Sequence, residues 1–123
     1  MAITIQSEMK DDILWIVANG RDESLEDVEN YGMAVIQAGV QAEASLILLD
    51  ERKLKYDLST YETFESANFA TRQIPVLNVK VALLCHSDQV EAGNFWVTVA
   101  ANRGLDAETF TDEDRALAWL RGD

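Results

Sequence analysis

The chain has 123 residues, 48% of them hydrophobic and 26% charged, with one proline and six glycines. That is long enough for one domain with a continuous core, and the composition is that of an ordered globular protein rather than a disordered or low-complexity one. A formal net charge of −12 repels nucleic-acid phosphates and anionic lipid over most of the surface, so no nucleic-acid partner is expected.

One cysteine, Cys85, permits no internal disulfide and fits a reducing compartment. The start, Met1-Ala2-Ile3-Thr4-Ile5, lacks a basic segment followed by a long apolar run, and no apolar stretch approaches the ~18 residues of a membrane span. A cytoplasmic protein of bacterial type, without integral membrane association, is the expectation.

Ile3 to Glu8 and Ile13 to Asn19 have strand character, and the short polar break Met9-Lys10-Asp11-Asp12 predicts an antiparallel hairpin. Asn19-Gly20-Arg21 closes the second strand. Ser24 followed by Asp27 starts a helix, with Glu26, Asp27 and Glu29 near the positive end of its dipole. Its inward set is Leu25, Val28, Val35 and Ile36. Gly32 on the same face predicts a close approach to the sheet; Gly39 either does the same or ends the helix.

Leu46-Ile47-Leu48-Leu49, closed by Asp50, reads as a strand buried on both faces, the usual state of a central parallel strand. The charged run Glu51 to Leu58 is expected to be a loop. A second helix then carries Tyr61, Phe64, Ala67 and Ala70 inward and stops before Pro75. Val79 to Leu84 repeats the buried-strand pattern. Ser87, or Asp88 with Glu91, opens a third helix bearing Val90, Phe95, Val97 and Ala101, which ends about Arg103 and Gly104. Leu105 to Phe110 is a short strand, and Thr111 with Asp114 opens a last helix, Asp112 to Leu120, with Ala116, Leu117 and Leu120 inward. This alternation predicts a single α/β domain over residues 1–123: about five strands in a mostly parallel sheet, the first antiparallel at or near one edge, and four helices.

The strand ending in Asp50, the helix start Asp57-Leu58-Ser59-Thr60, the strand Val81-Ala82-Leu83-Leu84 and the ending Ala116-Leu117-Ala118-Trp119-Leu120 together resemble the SpoIIAA-like proteins. These are related to the STAS domains of anti-sigma factor antagonists and share a fold class with lipid-binding CRAL-TRIO domains. The resemblance covers nearly the whole chain. It implies a non-catalytic regulatory domain that binds proteins. In the antagonists the corresponding loop reads Asp-Ser-Ser/Thr-Gly-Leu and is phosphorylated on a hydroxyl at the helix start. Here Asp57-Leu58-Ser59-Thr60-Tyr61 keeps the aspartate and a hydroxyl pair, whereas Leu58 and Tyr61 replace the first serine and the glycine.

Ser59 with Glu62 is also a capping box, a structural role compatible with a modified hydroxyl, because the same amides would hold a phosphate. Asp50, Glu51, Arg52, Lys53 and Lys55 lie just beyond the carboxyl end of a central strand, where open α/β sheets bind ligands. They read either as an anion-binding or docking patch or as a solvated loop of screened ion pairs. Asp50 lacks the acidic pair after the first strand that a receiver-type phosphoacceptor needs, since Asn19-Gly20 sits there. Cys85 is expected to be a buried filler and His86 a loop residue, because neighbours on an extended segment point opposite ways. No metal or other cofactor is inferred, and no catalytic constellation is read.

Two functional expectations follow. The first is docking of a protein partner, a second copy of the chain being an admissible one, on the face made by Glu51 to Leu58 and the next helix, modulated by charge on Ser59 or Thr60. The residues concerned are Asp50, Arg52, Lys53, Asp57, Ser59 and Thr60. The second is a pocket for a small apolar or lipid-like ligand near Phe64, Phe95 and Trp96, within an aromatic set that also includes Trp15, Trp119 and Tyr61. An open cavity under the third helix would favour the second reading.

Overall fold

A computed structural model describes residues 3–73, 78–102 and 104–122. Strands β1 (Ile3–Lys10) and β2 (Ile13–Asp22) form an antiparallel hairpin. Its turn is only Asp11-Asp12, both at positive φ (51° and 68°), the mirror-image turn whose twist suits a hairpin. Met9 and Lys10, expected in the break, pair with Leu14 and Ile13 instead. There follow α1 (Leu25–Ala42), β3 (Leu46–Tyr56), α2 (Thr60–Gln73), β4 (Lys80–Leu84), α3 (Val90–Ala101), β5 (Asp106–Phe110) and α4 (Glu113–Arg121). Pro75 and Arg103, the expected ends of α2 and α3, lie outside the described residues.

The strands lie in the order β1-β2-β3-β4-β5, with β1 at an edge and every pairing from β2 onward parallel. Ile47 lies opposite Val81 and Leu49 opposite Leu83, so the two mid-chain aliphatic runs sit side by side and point the same way, as expected. Strand alternation then divides the core in two. Ile13, Leu48, Ala82 and Leu84 face α4, whose Ala116 and Leu120 cover them. Leu14, Ile16, Ala18, Ile47, Leu49, Val81 and Leu83 face the other way, towards α1 and α3. Helix α2 packs mainly on α1 and α3 rather than on the sheet.

The largest departure from expectation is the length of β3. It does not end at Asp50 but continues to Tyr56, because β2 also runs on, past Asn19 to Asp22, and pairs with it. Lys53-Leu54-Lys55-Tyr56 alternates polar and apolar residues, the period of a half-buried strand. Strand β4 stops opposite Asp50, so this extension has lost its neighbour on that side. Gln89 fills the gap: its Oε1 accepts from Tyr56 N and its Nε2 donates to the Leu54 carbonyl, both at 2.9 Å. The side chain thus satisfies backbone groups that a strand would otherwise pair.

Between the two halves of β3 the register slips. Val17 faces Asp50 but Asn19 faces Lys53, so β3 carries one residue more than β2, a bulge. The extra residue reverses the alternation. Glu51 and Tyr56, five apart and therefore on opposite faces of a regular strand, come to the same face.

Local rules account for most element ends. Ser24 Oγ accepts from Asp27 N at 3.1 Å, as expected for the cap of α1. Asp112, rather than Thr111, caps α4, its carboxylate accepting from Asp114 N. Helix α3 is entered through a single 3-10 turn, Ser87–Gln89, without a side-chain cap, so neither Ser87 nor Asp88 plays the expected part. The close approach to the sheet occurs at Gly39, where a Cβ would lie 3.4 Å from Ile47 Cδ1; at Gly32 a Cβ would meet only Phe69, 3.9 Å away on α2. Trp119 packs on Phe110 with ring centroids 5.6 Å apart, and Lys80 lies over its indole at 4.3 Å while donating to its carbonyl. The Ala-Leu-Ala-Trp-Leu ending thereby fixes α4 to β4 and β5.

Candidate functional site

Helix α2 rests on its neighbouring helices rather than on the sheet, and the space between it and the sheet is not filled. A cavity of about 170 Å³ lies there, bounded by α1, α2, α3 and the sheet. Thr63, Ser66 and Phe69 line it from α2 at helical spacing; Ala92, Gly93 and Trp96 line it from α3. The sequence left open whether a cavity or a filled core lies beneath the third helix, and Ala92, Gly93 and Trp96 of α3 border a cavity. Of the three aromatics expected there, Trp96 is in place, its Nε1 3.2 Å from Ser66 Oγ. Phe64 and Phe95 are half-buried but outside the lining. Each is rotated by about one residue, roughly 100°, from the helix face that looks into the cavity. Trp15 and Trp119 belong to the opposite, α4 side of the sheet.

At the carboxyl end of the strands the cavity wall becomes polar. Glu51, 7% exposed, accepts a hydrogen bond from Tyr31 Oη at 2.6 Å and a very short one from Tyr56 Oη. Burial pushes its carboxyl up to about 7, against the two tyrosine bonds, with Asp22 and Asp50 adding repulsion. Asp22 also lines the cavity and accepts a very short bond from Asp57 N. Burial, with repulsion from Asp57, brings it to about 6. The phenols of Tyr31 and Tyr56 are raised above their ordinary value, first by burial and then by Glu51, so both remain protonated donors.

The residues singled out from the sequence at the rim fall into pairs. Asp50 is buried and on the α4 face. Arg52 grips it through Nε (2.9 Å) and Nη2 (2.8 Å), and its backbone N adds a third bond. Burial alone would raise the Asp50 carboxyl, but these bonds hold it below its ordinary value. Arg52 also reaches Glu113 at 3.2 Å, so two carboxylates share its charge. Asp57 is paired with Arg21 at 2.9 Å. Lys53 and Lys55 project into solvent from β3 rather than from a loop. Ser59 and Glu62 form the expected reciprocal cap: Glu62 N donates to Ser59 Oγ (3.2 Å) and Ser59 N to Glu62 Oε1 (3.1 Å). Ser59 and Thr60 are exposed, and Tyr61, expected to point inward, is 70% exposed.

Cys85 is 1% exposed, and burial, followed by the nearby Glu51 charge, pushes its thiol up to about 11. His86 is exposed and contacts Asp88. The two do not converge on one substrate position. Among the described residues no group of three acidic, histidine or cysteine side chains could hold a metal, and no helix is long and apolar enough to cross a membrane.

Sequence reasoning missed the Glu51, Tyr31, Tyr56 cluster. Two of its members were legible: Tyr31 sits three after Val28 and four before Val35, on the buried face of α1, and Glu51 continues the alternation of Ile47 and Leu49. The third depends on the bulge, for which the sequence carries no local signal.

No protein-family model matches the sequence, and no curated protein is detectably similar to it. Solved structures are. An anti-sigma factor antagonist from Mycobacterium paratuberculosis superposes with a TM-score of 0.62 at 11% identity, covering 98% of this chain and 95% of the other. The anti-sigma factor antagonist SpoIIAA in its unphosphorylated form gives 0.60 at 18% identity, covering 98% of both. An uncharacterized protein with a SpoIIAA-like fold from Shewanella loihica gives 0.54 at 22% identity, covering 97% and 94%. With its edge hairpin, parallel sheet and four helices in this order, the chain has the SpoIIAA-like, STAS-type fold.

Proposed function

We propose that the chain is a cytoplasmic, non-catalytic regulatory domain that docks a protein partner on the rim where β3 ends and α2 begins. The observation that carries this reading is Tyr61. A tyrosine 70% exposed in the first turn of α2 is the residue type that anchors protein interfaces. Beside it stand the exposed hydroxyls of Ser59 and Thr60, with Lys53 and Lys55 exposed on β3. The fold supports the reading, since two of the similar structures are antagonists of anti-sigma factors, named for an action on another protein. The burial of Cys85, the exposure of His86 and the raised thiol support a non-catalytic role.

Charge on Ser59 or Thr60 would modulate docking. A phosphate there would meet the free amides of α2 and the positive end of its dipole, but would displace the Ser59–Glu62 cap and add repulsion with Asp57. The test is affinity capture with wild type, Tyr61→Ala and a Ser59→Asp, Thr60→Asp double variant. Partners retained by wild type and lost from Tyr61→Ala support docking at this rim. The same partners on all three proteins contradict it.

A second reading is favoured by one specific observation, the 170 Å³ cavity: a binding module for a small apolar ligand. An engineered apolar cavity of about 150 Å³ holds benzene, which sets the scale. Gentle mass spectrometry of freshly purified protein tests it. A co-purified small molecule supports the module, and consistently empty protein counts against it. The readings meet at α2, because Leu58, Thr63 and Ser66 line the cavity while Ser59 to Tyr61 form the rim.

A further inference from the structure

We propose that the cavity selects a small apolar amine, aromatic or branched aliphatic, whose ammonium is held by Glu51 and the hydroxyl oxygens of Tyr31 and Tyr56. This rests on the ligand-binding reading of the cavity.

The polar end of the cavity sets the charge of the head it accepts. Glu51 and Asp22 line the cavity, and among the described residues no lysine, arginine or histidine does. An anionic head, the carboxylate of a fatty acid or a phosphate, would therefore face two carboxylates with no cation to pair it. Hydrogen bonding points the same way. Tyr31 and Tyr56 have each spent their single O–H on Glu51, so their oxygens can offer a ligand only lone pairs. A carboxylate has about four acceptor positions, and Glu51 has one tyrosine on each oxygen, so capacity remains. Glu51, Tyr31 and Tyr56 thus present only acceptors to the cavity when Glu51 is ionised. An ammonium, with three donors and no acceptor, is the complementary head. Apart from Asp22 and the hydroxyl-bearing Thr63 and Ser66 of α2, the rest of the wall, including Val35, Leu49, Leu83 and Trp96, is apolar and suits a ring or branched chain.

The size of the space bounds the ligand at about one or two small rings. Long acyl chains do not fit it.

Calorimetric titration of the full chain at pH 8 in 0.15 M salt, which screens general attraction of cations to an acidic surface, compares three probes of similar shape. They are 2-phenylethylamine, 2-phenylethanol and 3-phenylpropionate. The expected order is amine tighter than alcohol by at least about tenfold, and no measurable binding of the carboxylate. In Glu51→Gln the amine should fall to the level of the alcohol, whose own affinity stays within about twofold of wild type. If that variant does not keep the native fold, the ranking on wild type decides alone. Equal binding of amine and alcohol by wild type, or tighter binding of the carboxylate, overturns the amine assignment and leaves the cavity reading standing. Binding of none of the three overturns both.

Discussion

The two faces of the same sheet are built to different ends. On the α4 face Ile13, Leu48, Ala82 and Leu84 have no solvent exposure, and Ala116 and Leu120 close over them. On the other face a larger apolar cluster encloses an open cavity and two carboxylates. The division is made within single strands: in β3, Leu46 and Leu48 go one way while Ile47, Leu49 and Glu51 go the other. Close packing on one face supplies stability that the other does not have to provide. That leaves the second face free to hold buried carboxylates and open space, the usual company of function, whereas the buried carboxylate on the α4 face, Asp50, is gripped by Arg52.

Equivalent truncations on the two faces should therefore cost different amounts. Leu48→Ala, in the filled face, should lose ~4 kcal/mol in urea unfolding, and Leu49→Ala, which already borders a cavity, only ~2 kcal/mol. Equal losses would erase the distinction.

The next effect is electrostatic. The folded carboxyl of Glu51 sits at about 7 against an ordinary 4.5. Its contribution to stability is therefore complete below the ordinary value and declines as pH rises through the folded one. Asp22, raised to about 6, acts in the same direction. Asp50, held low, acts oppositely: its contribution is present at neutral pH and is lost only on strong acidification. Glu51→Gln should then stabilise the protein by roughly 2 kcal/mol at pH 8 and flatten the decline between pH 5 and 8. Parallel pH curves for the two proteins would mean that Glu51 is not buried as described. Smaller still is the rim: Ser59→Ala should cost ~1 kcal/mol through loss of the α2 cap, read from the thermal midpoint, without altering the pH dependence. Arg21→Ala, which removes an exposed partner of Asp57, should change stability by less than ~0.5 kcal/mol in the same assay.

The α4 face could be read from the chain almost in full. Its residues follow simple periods, the runs around Leu48 and Ala82 are uninterrupted, and Ala116 and Leu120 repeat at a helical interval. The other face could be read only in part. The helix positions of Val28 and Val35 imply Tyr31, but Lys53 to Tyr56 reads as a charged loop until β2 is known to continue beside it to Asp22. The bulge that carries Tyr56 to Glu51 is a property of two paired strands, and no single segment encodes it. Tyr61 misled for a related reason. A tyrosine at the start of an amphipathic helix counts as apolar in any periodicity, whereas α2 rests on two helices and leaves its first turn on the rim.

The face opposite α4 holds a buried, ionisable carboxylate in the wall of a ligand-sized cavity. Following the side-chain carboxyl carbon of Glu51 by NMR between pH 4 and pH 9 tests this directly. A midpoint near 7, moved when 2-phenylethylamine is added, is the predicted result. A midpoint at or below the ordinary glutamate value of about 4.5 would show Glu51 in water and contradict the account.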